Sequence, residues 1–275
     1  NQSDVVVAVL GEAAESSGES SSLTSIELPE NQRNLMSALL KTGKPVVMVL
    51  LAGRPMAIKW EQDHVPAILN AWFPGTEAGL AVADVLFGDV NPSGKLTATF
   101  PQNTGQIPIY YNHTNTGRPL PEGAWFQKFT SNYLDVSNEP LYPFGYGLSY
   151  TSFEYGELTV SADTLSGERT NLGVSIPVKN AGEVTGKEVV QLYIRDLVGS
   201  VTRPVKELKG FQKVEIAPGE SKVVSFEITT DDLKFYNYVS SESLEMKYDW
   251  EPGDFEVMIG TNSENVKTAK VHWLK

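Results

Sequence analysis

Val5-Val6-Val7-Ala8-Val9-Leu10 is a continuous apolar run, four of its six residues being β-branched, and its reading decides how the first half of the chain folds. An unbroken run of this kind, rather than an alternating one, is the pattern of a strand covered on both faces, as in parallel sheets. Downstream, residues 11–27 make a loop of Gly, Ser, Glu and Ala, and Pro29 sits at the first position of a helix, where its missing N–H costs nothing. Leu35, Met36, Leu39 and Leu40 stripe one face of that helix, Gly43 ends it and Pro45 stops its continuation. Residues 46–51 read as a second buried strand and residues 67–73 as a third. After Gly75-Thr76-Glu77-Ala78-Gly79 comes a helical pattern in which Leu80, Ala83, Val85, Leu86 and Phe87 can pack. This succession predicts an α/β layer with a mainly parallel sheet. A core strand with almost no lead-in also suggests a natural chain that continues upstream.

From residue 151 the period changes. Val190, Leu192 and Ile194 alternate within residues 189–194, and residues 222–228, 255–259 and 266–273 are further β segments. Asn180-Ala181-Gly182, Ala217-Pro218-Gly219-Glu220 and Glu251-Pro252-Gly253-Asp254 separate them as turns. About seven short strands with no long helix predict an antiparallel β-sandwich, with a helical turn only near residues 231–236. The expected division is an α/β domain at 1–101, a strap at 102–150 and a β-sandwich at 151–275.

The strap shows little periodicity yet holds 10 of the 27 aromatic residues. A loop so long is uncommon unless it is functional or packs along a surface, and so many rings are costly to leave in water. It reads as an ordered bridge, either structural or rimming a cleft.

Composition narrows the function. With 22 basic and 34 acidic side chains the net charge is −12, split evenly about residue 150, which excludes the positive face a nucleic-acid binder needs. The absence of cysteine removes disulfides, thiolate catalysis and thiolate metal sites. The apolar run at residues 45–52 is far short of the ~20 residues that span a bilayer. His64, His113 and His272 lack ligand-like spacing, and neither a phosphate-binding loop nor a Gly-x-Ser-x-Gly elbow is present.

Ligands of open α/β sheets bind beyond the carboxyl ends of the strands, which is where residues 11–27 fall. This loop contains Glu12, Glu15, Glu19 and Glu27 and no lysine or arginine. Carboxylates crowded together without a cation tend to hold their protons longer, as a general acid must. A solvated acidic surface loop is the alternative reading.

Several phrases now combine. They are Val9-Leu10-Gly11-Glu12, Ser17-Gly18-Glu19-Ser20-Ser21-Ser22, Leu28-Pro29, Gln32, Gly43-Lys44-Pro45-Val46-Val47 and Gly53-Arg54-Pro55. Trp72-Phe73-Pro74-Gly75-Thr76-Glu77-Ala78-Gly79, Ala83-Asp84-Val85-Leu86-Phe87-Gly88-Asp89, Asn91-Pro92-Ser93-Gly94-Lys95-Leu96 and Thr116-Gly117-Arg118-Pro119 follow. Leu141-Tyr142-Pro143-Phe144-Gly145-Tyr146-Gly147-Leu148-Ser149 closes the first half. In order and spacing the chain resembles the C-terminal half of family 3 glycoside hydrolases, of the bacterial periplasmic β-glucosidase type. Arg203-Pro204 and Leu208-Lys209-Gly210-Phe211 resemble that family's fibronectin type III-like (immunoglobulin-like) module.

The resemblance implies an α/β sandwich followed by an all-β fibronectin type III-like sandwich, preceded by an N-terminal barrel. It implies a retaining, exo-acting β-glucosidase whose nucleophilic aspartate lies on that barrel, outside this sequence. The acid/base glutamate falls on Glu19, with Glu12 and Glu15 shaping the loop and the glutamate of Thr76-Glu77 capping a helix rather than touching sugar. The implied partners are a β-linked glucoside and the barrel, with room for a homodimer, in a periplasmic or secreted setting. The chemistry needs no metal or organic cofactor. β-Xylosidase or arabinofuranosidase activity and a non-catalytic carbohydrate-binding fragment are the alternatives. Leu23 stands where arginine is frequent in relatives, which bears on loop order and specificity, not on Glu19.

Overall fold

The computed structural model describes residues 3–121, 123–167, 170–239 and 244–275. These form two compact units. The first comprises Asn1–Val90, Ala98–Ile109 and Tyr133–Tyr142, and the second Asn91–Thr97, Tyr110–Asn132 and Pro143–Lys275. The aromatic strap is thus shared out between the two.

The first unit is a three-stranded parallel sheet of β1 (Val6–Gly11), β2 (Val46–Leu51) and β3 (Ala67–Asn70) in sequence order. Three helices intervene or follow: α1 (Glu30–Leu40), α2 (Lys59–His64) and α3 (Ala78–Phe87). Its core is Ala8 and Leu10 of β1, Val46, Met48, Val49 and Leu50 of β2, and Met36 of α1. Fully burying one such large side chain contributes about 1.5–3 kcal/mol. Residues 98–109 and 133–142 are joined by Phe100, whose N–H donates to the Tyr142 carbonyl (2.9 Å) and whose carbonyl accepts from the Leu141 N–H (2.8 Å).

Several sequence expectations are corrected here. β1 is an edge strand buried on one face only, since Val7 and Val9 are about half exposed. α2 is unanticipated because five of its six residues, Lys59 to His64, are polar and they are too few to show a period. Pro29 is the N-cap rather than the first helical residue. The third strand stops at Asn70, before Trp72, which takes a left-handed φ of 50°. No residue of α3 is buried, although Leu80 and Phe87 were expected to pack. Glu77 occupies the N-cap of α3, but its side chain makes no capping hydrogen bond.

The second unit is a β-sandwich. One sheet holds β4 (Phe153–Tyr155), β5 (Thr159–Val160), β7 (Leu172–Asn180) and β10 (Ser221–Ile228). The other runs β6 (Thr164–Ser166), β14 (Val266–Leu274), β13 (Gly253–Gly260), β8 (Gly186–Asp196), β9 (Glu207–Ile216). A two-stranded ribbon of β11 (Phe235–Tyr238) and β12 (Met246–Asp249) lies beside them. Alternation along β7 sends Leu172, Val174, Ile176 and Val178 into a core shared with Leu192, Ile194, Val257, Ile259 and Trp273. Strands are more numerous than the seven expected, and β6 pairs parallel to β14, so the sandwich is not wholly antiparallel.

β8 is buried on both faces because strap residues cover its outer side. Gln191 donates from Nε2 to the Gly145 carbonyl (3.1 Å) and accepts at Oε1 from the Tyr193 hydroxyl (2.5 Å). Tyr111 stacks on Phe144 at 4.3 Å and meets Tyr193 edge-on. The strap's rings are nonetheless not all sheltered: Tyr110, Trp125, Phe126, Phe129 and Tyr150 are more than half exposed.

Candidate functional site

The loop of residues 11–27 begins where β1 ends, and its start is held by backbone geometry only glycine tolerates. Gly11 has φ +146°, and a Cβ there would lie 1.7 Å from the Leu51 carbonyl oxygen. Gln32 of α1 clamps the same residue, accepting from the Gly11 N–H at 2.9 Å and donating to its carbonyl at 2.8 Å. The Glu12 N–H extends the ladder to the Leu51 carbonyl (2.9 Å). Strand, helix and loop therefore meet at one peptide.

The Glu12 side chain then turns inward. Its Oε2 accepts from the Gly53 N–H (3.0 Å), and its Oε1 lies 2.8 Å from Arg54 Nε. Arg54 also donates from Nη2 to the Ser16 carbonyl (2.7 Å), at the end of a single 3-10 turn, Ala14–Ser16. The Glu12 side chain is 3% exposed and that of Arg54 23%, so this is a largely sheltered ion pair rather than a surface one. Gly53 has to be small, because a Cβ would come within 2.3 Å of Ser17 Oγ.

The far end is held by burial. Ile26 and Leu28 are sunk in the core, and the Ile26 carbonyl accepts from the Ala57 N–H at 2.9 Å. Glu27 pairs with Arg33 at 3.2 Å, and Arg33 also reaches the wholly buried Glu61 at 3.2 Å. Between the anchors, residues 18–20 and 22–25 are exposed. Ser20 holds a left-handed φ of 60°, and the Ser21 N–H closes a turn on the Gly18 carbonyl at 3.1 Å. Glu19 sits inside that turn, exposed, and among the described residues it has no ion-pair partner.

The premise that the loop's carboxylates lack cations is therefore corrected: Glu12 and Glu27 are paired, to Arg54 and Arg33. The loop itself holds no basic residue, but β1 and β2 run parallel with Gly11 beside Leu51. Their following loops emerge at the same sheet edge, and Gly53-Arg54 supplies the cation. Arg54 and Gln32 are the working residues the sequence reading assigned no role. The available signal was the parallel pairing of the two strands, which places position 12 against positions 53 and 54.

A cavity of about 510 Å3 lies elsewhere, in the second unit, lined in part by Lys95, Ser149, Tyr155, Glu188 and Thr261. Its polar groups satisfy one another. Lys95 Nζ donates to the Gly147 carbonyl (3.1 Å) and to Thr261 Oγ1 (3.0 Å) and lies 3.3 Å from Glu188 Oε1. The same Glu188 oxygen accepts from the Tyr155 hydroxyl (2.9 Å) and the Thr261 hydroxyl (2.7 Å). Burial, then Glu188, pushes the Tyr155 phenol well above its ordinary range. This is a structural network. Among the described residues no group of His, Asp and Glu is placed to hold a metal ion, and no helix is long and apolar enough to cross a membrane.

Residues 1–150 match the Glycosyl hydrolase family 3 C-terminal domain, and residues 188–263 match a fibronectin type III-like domain. Among curated proteins, a periplasmic beta-glucosidase of Salmonella typhimurium is 52% identical over 99% of this chain and 35% of its own length. A beta-xylosidase of Formosa agariphila is 40% identical over 98% of the chain and 35% of its own. Among solved structures, a beta-glucosidase from Listeria innocua in complex with glucose superposes with a TM-score of 0.91 at 46% identity, over 100% of this chain and 37% of that one. The chain spans about a third of the length of these relatives.

Proposed function

The chain belongs to glycosyl hydrolase family 3, and on that premise we propose that it is the C-terminal part of a retaining, exo-acting β-glucosidase in which Glu19 is the general acid/base. The observation that carries the reading is the form of the loop. Both ends are fixed, by Glu12 with Arg54 and by Ile26 with Leu28, while Glu19 is presented to solvent between them. A proton donor has to be held in position yet remain open to substrate.

Retaining hydrolysis takes two carboxyl groups about 5–5.5 Å apart. We assign the second, the nucleophilic aspartate, to an upstream barrel. In the first step Glu19 gives its proton to the glycosidic oxygen as the bond to the anomeric carbon breaks and the aspartate bonds that carbon. In the second, the Glu19 carboxylate takes a proton from water, water oxygen joins the anomeric carbon and the aspartate departs. Val7, Val9, Leu80 and Phe87 support a further domain in contact with the first unit, since they leave apolar surface in water. The likeness to the periplasmic Salmonella protein supports a periplasmic setting. The Formosa relative favours a second reading, β-xylosidase specificity on the same machinery.

The test uses the protein joined to its upstream region. The alkaline limb of the pH dependence of kcat/KM reports the general acid of the free enzyme. Glu19→Gln removes that limb if Glu19 is the donor; an unchanged limb, with activity retained, contradicts the assignment.

A further inference from the structure

Beyond β3 the first unit runs into Trp72-Phe73-Pro74, whose geometry packing alone leaves unexplained. Trp72 holds a left-handed φ of 50°. For a bulky side chain that region is an outlier, and it persists only where the surrounding structure imposes it. The buried Phe100 is that neighbour, its ring meeting the Trp72 ring edge-on at 5.7 Å. One residue on, the chain gains little by burial, since Phe73 is 63% exposed. Pro74 follows, which disfavours a helical backbone at Phe73 and narrows where its ring can go.

The ring goes to the loop that carries Glu19. A Cβ on Gly53 would lie 2.7 Å from Cε2 and 2.9 Å from Cζ of Phe73, and 2.3 Å from Ser17 Oγ. Ring and hydroxyl therefore crowd one point on Gly53, the residue whose N–H holds Glu12. Ser17 precedes Glu19 by two residues, and two residues of chain span at most about 7 Å. An exposed aromatic ring and an exposed carboxyl group thus share the rim at the carboxyl ends of the strands.

We infer that Phe73 is a specificity residue for the leaving group, its ring stacking on a six-membered ring joined directly to the glycosidic oxygen. The inference rests on the role proposed for Glu19, and the location follows from it. A group that protonates the departing oxygen stands beside what departs, so a ring on the donor's own rim is placed for the leaving group. An aromatic face can lie on the flat face of an aryl group or a pyranose. A methyl leaving group offers no such surface.

The test compares phenyl β-glucoside, cellobiose and methyl β-glucoside as substrates of the protein joined to its upstream region. Phe73→Ala should lower kcat/KM roughly tenfold on the two ring-bearing leaving groups and by no more than about twofold on the methyl one. Phe73→Trp should recover most of the loss, whereas Phe73→Leu, which keeps apolar bulk without a ring, should not. Equal losses on all three substrates, no loss on any, or full recovery in Phe73→Leu would overturn the inference. Phe73 would then be apolar cover for an adjoining domain. The Glu19 assignment fails separately, through an alkaline limb that survives Glu19→Gln. A Phe73→Ala loss confined to the ring-bearing substrates would still support leaving-group recognition in that case.

Discussion

At the scale of single residues, the account turns on how Glu19 is held rather than on Glu19 alone. Gly11 is irreplaceable on steric grounds: alanine there would drive its Cβ into the Leu51 carbonyl and force a φ only glycine adopts easily. Gly11→Ala should destabilise the first unit by about 3 kcal/mol or more, read as a lowered urea midpoint. Glu12 is testable more finely. Glu12→Ala leaves Arg54 without its carboxylate and frees the Gly53 N–H, which should cost about 2 kcal/mol because Arg54 keeps some access to water. In the protein joined to its upstream region, the same change should lower kcat much more than it raises KM. Glu12→Gln, which can still accept from Gly53, should recover part of the loss. Equal activity in Glu12→Ala and the unaltered protein would remove this anchor from the mechanism.

At the scale of elements, the buried network on β8 gives the second unit a defined alkaline weakness. Burial is the first cause raising the phenols of Tyr155 and Tyr193 above their ordinary value, with Glu188 adding to the former. Groups whose protons are held more tightly in the folded state stabilise it below about pH 10, where an unfolded tyrosine is still neutral, and that stability is lost as pH rises further. Urea unfolding followed at pH 8 and pH 10.5 should show a fall in stability, and Tyr155→Phe should make it smaller. A fall of the same size in Tyr155→Phe would contradict the role given to this phenol. The elements also show what could be read beforehand. The runs at β1 and β2 were legible because continuous Val and Leu leave no alternative to a strand. Which faces were covered was not: β1 is half open and α3 has no fully buried residue, since an apolar pattern states what should be buried without stating what buries it. α2 was invisible for want of length, although it supplies Glu61, the buried partner of Arg33. Glu19 was legible as a loop carboxylate and singled out by resemblance. Arg54 was missed because its role depends on the register between two parallel strands.

At the scale of the whole molecule, the proposed reaction needs a second carboxyl group beside Glu19, and Val7, Val9, Leu80 and Phe87 are exposed among the described residues. Two outcomes follow for the 275 residues alone. They should bind a hydrophobic dye more strongly than the longer protein does, and they should not hydrolyse β-glucosides, because the proposal assigns the nucleophile to an upstream barrel. Turnover by a rigorously purified chain would overturn the division of labour. The most direct measurement of the central claim is the leaving-group dependence of the protein joined to its upstream region, with and without Glu19→Gln. A donor that protonates the departing oxygen matters when that oxygen is basic and little when it is not, and general acid catalysis is worth about 10²–10⁴-fold. The account predicts a loss of that order in kcat/KM on cellobiose and a far smaller loss on an activated dinitrophenyl glucoside. Equal losses on both substrates would contradict it.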